Sequence, residues 1–153
     1  MEVRVVNTLS GLFAWLPGQR AAAQRRAQAR RNVLAGLELA LAELGRELKR
    51  LAELSHTSDQ DDRAAIVREA TITSRILGVL QRGEGLASDL SDDEAASAWR
   101  RLAASTGRAR LLGQGPHRAA KLEAAAAECQ RLQELVDQKL TGLEGLPDEH
   151  TPQ

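Results

Sequence analysis

Leu34, Leu37, Leu41, Leu44, Leu48 and Leu51 follow one another at alternating spacings of three and four residues, with Leu54 beyond. An α-helix returns such residues to one side, because it turns once in about 3.6 residues; a strand would scatter them over both faces. The chain is thereby committed to burying a helical stripe against something. Its composition offers only further helices as partners. Ala (26), Leu (24) and Arg (18) dominate the 153 residues, whereas Val and Ile together number 10. That is poor material for a sheet. The seam is shorter than three heptads, so a packed bundle is expected rather than a free-standing coiled coil.

Helix-breaking and capping residues divide the remainder. Pro17-Gly18 is expected to close a short first helix, and Ser55 to Ser58 the second. Asp59, Asp61 and Asp62 offer an acidic start to the third, Gly83-Glu84-Gly85 ends it, and Ser91 with Glu94 forms a capping-box pattern for the fourth. Gly107 weakens or breaks that fourth block, and Pro116 suits the first turn of a fifth. The fifth block, about 116–146, repeats the seam idea with Leu122, Cys129, Val136 and Leu143 seven apart. The third, about 59–82, carries Ile66, Ala70, Thr73, Leu77 and Leu80 on one side, widened by Ile72, Ile76 and Val79. A face that wide asks for neighbours on two sides, one of which a second copy of the chain would supply. The expected fold is all-α: an antiparallel four-helix bundle with a long second helix and a short N-terminal amphipathic helix. Residues 1–18 form the amphipathic segment. The bundle is 19–146, with 19–31 as a basic extension of its first long helix, and 147–153 is a disordered tail.

The seam has a definite upstream end. Continued backward from Leu34, its positions fall on Arg30, Ala27, Ala23 and Arg20. Arginine is rarely buried without a partner, so apolar contact should stop near Val33 while the helix itself runs on. Lysine plus arginine equals aspartate plus glutamate at 21 each, yet residues 19–31 hold Arg20, Arg25, Arg26, Arg30 and Arg31 with no acid among them. The overall neutrality argues against a wholesale polyanion binder and conceals this local cluster. Just before it lies an apolar arc of Val5, Val6, Leu9, Leu12, Phe13 and Leu16, with Trp15 at its margin. Two of the chain's three aromatics are in this segment.

An apolar helix followed by clustered arginines suits docking into a partner's groove, and it suits an anionic lipid surface. Folding back over the bundle is the plain alternative. The contact residues expected are Leu9, Leu12, Phe13, Trp15 and Leu16 for apolar burial, with Arg25, Arg26, Arg30 and Arg31 for electrostatic attachment. Nucleic acid is disfavoured, because no aromatic interleaves the basic run. No run of about 18 apolar residues spans a membrane, and residues 1–16 lack a basic n-region, so a cytoplasmic location is expected, peripheral to a membrane if lipid is the partner.

Catalytic chemistry finds little purchase. The lone Cys129 excludes an intrachain disulfide and a multi-cysteine zinc site, and on a helix seam it acts as a small hydrophobe. His56, His117 and His150 form no Glu-x-x-His or His-Glu-x-x-His pair, so no metal or other cofactor is expected. The Arg50–His56 and Arg110–His117 spacings resemble the Arg–His motif of helical HEPN nucleases. That resemblance implies a small helical nuclease built on His56 or His117; a phosphotransfer enzyme would instead need an exposed histidine in mid-helix, whereas His117 begins one. In a chain with 18 arginines, about one such spacing arises by chance. The reading adopted is therefore a non-catalytic interaction or scaffold module for a protein partner or for itself. A peripheral membrane protein using residues 1–31 is the second reading and the small enzyme the third.

Overall fold

The computed structural model describes residues 2–57, 62–90, 93–112 and 115–144, and within them the side chains of 18–56, 62–90, 93–112 and 115–143. Four helices account for the described elements: α1 (Glu2–Thr57), α2 (Arg63–Leu90), α3 (Glu94–Arg110) and α4 (Pro116–Glu144). No strand occurs among the described residues. The chain comprises two compact units, Met1–Asn32 and Val33–Gln153.

In the second unit the leucine seam is the spine of the core. Leu34, Leu37, Leu41, Leu44, Leu48 and Leu51 are all fully buried. Each such burial is worth about 1.5–3 kcal/mol before chain entropy is set against it. They pack with Ile76, Val79, Ala87 and Leu90 of α2, Ala95, Ala96, Trp99 and Leu102 of α3, and Leu122, Ala125, Cys129, Leu132 and Val136 of α4. α3 packs on both α2 and α4. α1 meets α2 where Gly36 approaches Leu86 and where Glu43 accepts from Arg82 at 2.7 Å. It meets α4 where Gly45 approaches the Cys129 Cβ and where His56 pairs with Glu123 at 3.1 Å. Core burial begins at Leu34, beside the unit boundary and where the seam meets its arginines.

Local chemistry sets the helix ends. The Ala64 N–H donates to Asp62 Oδ1 at 2.9 Å, which caps α2. The Ala95 N–H donates to Asp93 Oδ1 at 2.8 Å, so Asp93 is the N-cap of α3; Ser91, expected in that role, lies outside the described residues. Arg108 and Arg110 occupy the last turn of α3, where cations suit the helix dipole. At Gly115 the backbone takes φ +132°, a conformation L side chains rarely adopt, and Pro116 then opens α4 as anticipated.

Three sequence expectations need correction. Pro17-Gly18 does not separate a short helix from a long one, since α1 is continuous from Glu2 to Thr57. An internal proline removes one backbone hydrogen bond and can kink a helix without ending it. Gly83-Glu84-Gly85 likewise does not end α2, which runs on to Leu90. Gly83 is buried there, and a Cβ on it would lie 1.8 Å from Trp99 Cζ2: the glycine seats an indole ring against the helix backbone. Gly107 sits inside an unbroken α3. Asp59, Asp61, the Gly113-Gln114 pair and the tail 147–153 lie outside the described residues.

Candidate interaction surfaces

Two surfaces and one buried polar junction hold the chemistry of interest. The first surface belongs to Met1–Asn32. Helical backbone carries the sequence through Leu9, Leu12, Phe13, Trp15 and Leu16, whose side chains lie outside the described set. Of the four arginines paired with them in sequence, Arg25, Arg26 and Arg30 are exposed, whereas Arg31 is half-buried and its Nε is buried without a hydrogen-bond partner. Gln28 donates to Asn32 one turn on, at 2.9 Å. The basic run therefore stands on a helix that supplies no carboxylate of its own between residues 19 and 31.

The second surface is the outer face of α2, and it corrects the face assigned from sequence. Ile66, Ala70 and Leu77 are exposed, with Thr73 and Leu80 half-buried. The buried register is instead Ala65, Ile76, Val79, Gly83, Ala87 and Leu90, with Ile72 packed beside it. The residues that seemed to widen the face are its centre. Ile66, Val67 and Leu77 keep 53%, 64% and 45% of their surface in solvent. At about 100° per residue they fall on one strip with Ala70, Thr71, Ser74, Gly78 and Gln81. All of these are exposed, and none is charged, in a chain that is 27% charged. Thr71 donates its hydroxyl to the Val67 carbonyl at 2.9 Å and so satisfies it within its own helix.

Charge flanks the strip on both sides. Arg68, Arg75 and Arg82, seven apart, run along the edge nearer α1. Arg75 approaches Glu47 at 3.9 Å and Arg82 binds Glu43 at 2.7 Å, yet their side chains remain 54% and 61% exposed. Glu84 marks the opposite edge, while Glu69 lies further round, beside the buried register of Ile76 and Ala87. Glu69 is paired with Arg118 and Glu84 lies 3.8 Å from Arg100 of α3.

The junction centres on Arg118, a residue the sequence reading passed over. It is 4% exposed. Its Nη1 donates to Glu69 Oε1 at 2.6 Å and reaches Ser55 Oγ at 3.5 Å, while Nη2 donates to the Arg110 carbonyl at 3.4 Å. One guanidinium thus joins the end of α1, the first third of α2, the end of α3 and the start of α4. A buried charge of this kind is tolerated only when paired and hydrogen-bonded. Both Nη atoms thus have protein acceptors, whereas Nε is buried without one. A chemically neutral sequence signal for it hardly exists, because Arg118 is one of 18 arginines and its partners are distant in sequence.

His56 contacts Glu123, and no hydrogen bond joins it to Arg50, whose Nη1 donates to Glu47 at 2.8 Å. His117 is exposed at the start of α4. Cys129 is buried, and desolvation pushes its thiol up to about 12, the opposite of what a nucleophile needs. Among the described residues no group of three His, Cys, Asp or Glu side chains could hold a metal ion, and no helix is long and apolar enough to cross a membrane. Comparison with protein-family models, with curated proteins and with solved structures finds no match to this chain.

Proposed function

We propose that the protein is a non-catalytic helical interaction module in which residues 1–31 engage a protein partner. The observation that carries this reading is the basic run: exposed Arg25, Arg26 and Arg30 on a continuous helix, in a segment without an acid, immediately before the point at which core burial begins. An acidic groove or helix with an apolar floor is the matching chemistry. Leu9, Leu12, Phe13, Trp15 and Leu16 would fill the floor, and Arg25, Arg26, Arg30 and Arg31 would pair with its rim. The cytoplasm is the proposed location.

Within the second unit we read the bundle as antiparallel between neighbours. In support, contacts between α1 and α2 run in reverse order: Gly36 with Leu86, Glu43 with Arg82, Glu47 with Arg75. Gly45 with Cys129 and Ser55 with Arg118 do the same for α1 and α4. For α3 and α4, Lys139 reaches Asp93 and Glu94 at one end while Arg118 reaches Arg110 at the other.

The test replaces Phe13 with a photo-crosslinking residue in the full chain and asks what it captures in cells. A defined protein, lost when Arg25, Arg26, Arg30 and Arg31 are changed to Ala, is the expected result. Capture of lipid, together with flotation on phosphatidylglycerol vesicles that the same four changes abolish, would move the function to a membrane surface. Loss of helical content on substituting Leu12→Glu would mean that the segment is core and would end the proposal.

A further inference from the structure

We infer that the outer strip of α2 is a self-association surface, on which a second copy of this chain packs its own α2 in parallel about a two-fold axis. The inference uses a face distinct from residues 1–31 and does not depend on their role. It begins from the solvation problem posed by Ile66, Val67 and Leu77, three large aliphatic side chains about half-exposed on one helix face with Ala70 and Ser74 between them. Scattered apolar residues on a surface need no explanation, but a contiguous strip free of charge does.

Charge decides what covers it. A partner bringing charged side chains onto the strip would have to strip them of water with nothing there to pair them. Between Ile66 and Gln81 the strip of a second copy brings none; the exposed Arg63, first residue of α2, bounds it at one end. The edges then discriminate between orientations. In a parallel pair the basic edge of one helix faces the opposite edge of the other, so Arg82 meets the partner's Glu84. An antiparallel two-fold would set the Arg68, Arg75 and Arg82 edge against its own copy. Each of these arginines is more than half-exposed and already leans on an acid at 2.7–3.9 Å, so its remaining donors face solvent. Along the centre, Ala70 and Ser74 are small enough for the axes to come close, and Ile66 and Leu77 close the contact above and below. The strip is a few hundred Å² in extent, against roughly 800 Å² per partner in a standard interface. Association through it is accordingly weak and concentration-dependent.

Sedimentation equilibrium on the full chain, up to about millimolar concentration, should show a reversible monomer–dimer equilibrium. Ala70→Glu, at an exposed position compatible with a helix, should weaken it by at least about tenfold with unchanged helical content and melting temperature. Glu84→Lys, which sets a cation against the partner's Arg82, should weaken it several-fold. Gln81→Cys should form a disulfide with its own copy under mild oxidation, because only a parallel pair brings the two positions together. A chain monomeric at every concentration overturns the inference, as does a dimer indifferent to both Ala70→Glu and Ser74→Arg. A dimer in which Gln81→Cys does not crosslink overturns the parallel arrangement.

Discussion

Replacing Gly83 with alanine tests the packing of the core at its most crowded point. A Cβ at that position would stand 1.8 Å from Cζ2, 2.2 Å from Cη2 and 2.5 Å from Cε2 of Trp99. Carbons in ordinary contact stand about 3.5–4.0 Å apart, so the indole must retreat by roughly 1.5–2 Å. The ring is rigid and fully buried, which leaves separation of α2 from α3 as the main relief. Overpacking of a core costs about 1–3 kcal/mol, and a clash with ring atoms rather than a flexible chain end belongs at the upper limit. Alanine's better helix propensity returns about 1 kcal/mol. A net loss of about 2 kcal/mol follows, lowering the melting temperature by roughly 5–15 °C on the usual scale for domains of this size. Gly85, two residues on and exposed, has nothing within 4 Å of its added Cβ. Gly85→Ala should therefore stabilise by about 0.5–1 kcal/mol. Urea and thermal unfolding followed by far-ultraviolet circular dichroism measure both. In the double variant Gly83→Ala/Trp99→Leu the clash is gone, so the two changes should cost less together than separately by at least about 1 kcal/mol. If Gly83→Ala behaves like Gly85→Ala, the indole does not lie against α2 and the reasoning fails.

Two further expectations concern buried chemistry. Arg118→Met removes the guanidinium that Glu69, Ser55 and the Arg110 carbonyl share, and since Glu69 retains a 26% exposed side chain the loss should be about 2–3 kcal/mol, below the full penalty for breaking a buried pair; equilibrium unfolding in urea reads it, and a change under about 0.5 kcal/mol would dissolve the junction. Cys129 should be inert to thiol reagents in the native protein at pH 8 and react on unfolding, because burial raises its thiol from the reference 9.0 to about 12. The sign of the accompanying linkage follows directly: above pH 9 the unfolded chain gives up the thiol proton while the folded chain keeps it, so stability falls between pH 9 and about 12. Cys129→Ala should flatten that alkaline decline, and an equal decline in the variant would assign it to other groups.

The readable parts of this fold are those decided by local periodicity. The α1 seam is buried from Leu34 to Leu51 as its spacing implies, and the seven-residue row of α4 is buried at Leu122, Cys129 and Val136. For α2 the periodicity was ambiguous, since Ile66, Ala70 and Leu77 form as good a stripe as Ile72, Ile76 and Val79. Only the pairing of Arg75 and Arg82 with Glu47 and Glu43 of α1, and the seat of Trp99 on Gly83, choose between them. Both are contacts between residues far apart in sequence, which a local pattern does not contain. Gly83 misled for the same reason: as a local symbol it breaks helices, whereas in the packed bundle it is the one residue small enough for its place. Arg118 is the extreme case, a buried charge whose three partners lie on three other helices. Of the candidate contacts, the Arg25 and Arg26 exposure follows from the end of the seam, while the strip on α2 emerged only once its inner face was known.

The seat of Trp99 has an optical consequence. The chain contains no tyrosine, and its other tryptophan is Trp15. In a Trp15→Phe variant all tryptophan emission would come from one fully buried ring wedged between α2 and α3. Its spectrum and lifetime would then follow the opening of that single joint, free of any signal from the N-terminal segment. A far-ultraviolet signal averages over all four helices. The bundle thus carries a site-specific probe of its own tertiary closure, and any interval between the two signals during unfolding would reveal whether α2 and α3 part before their helices melt.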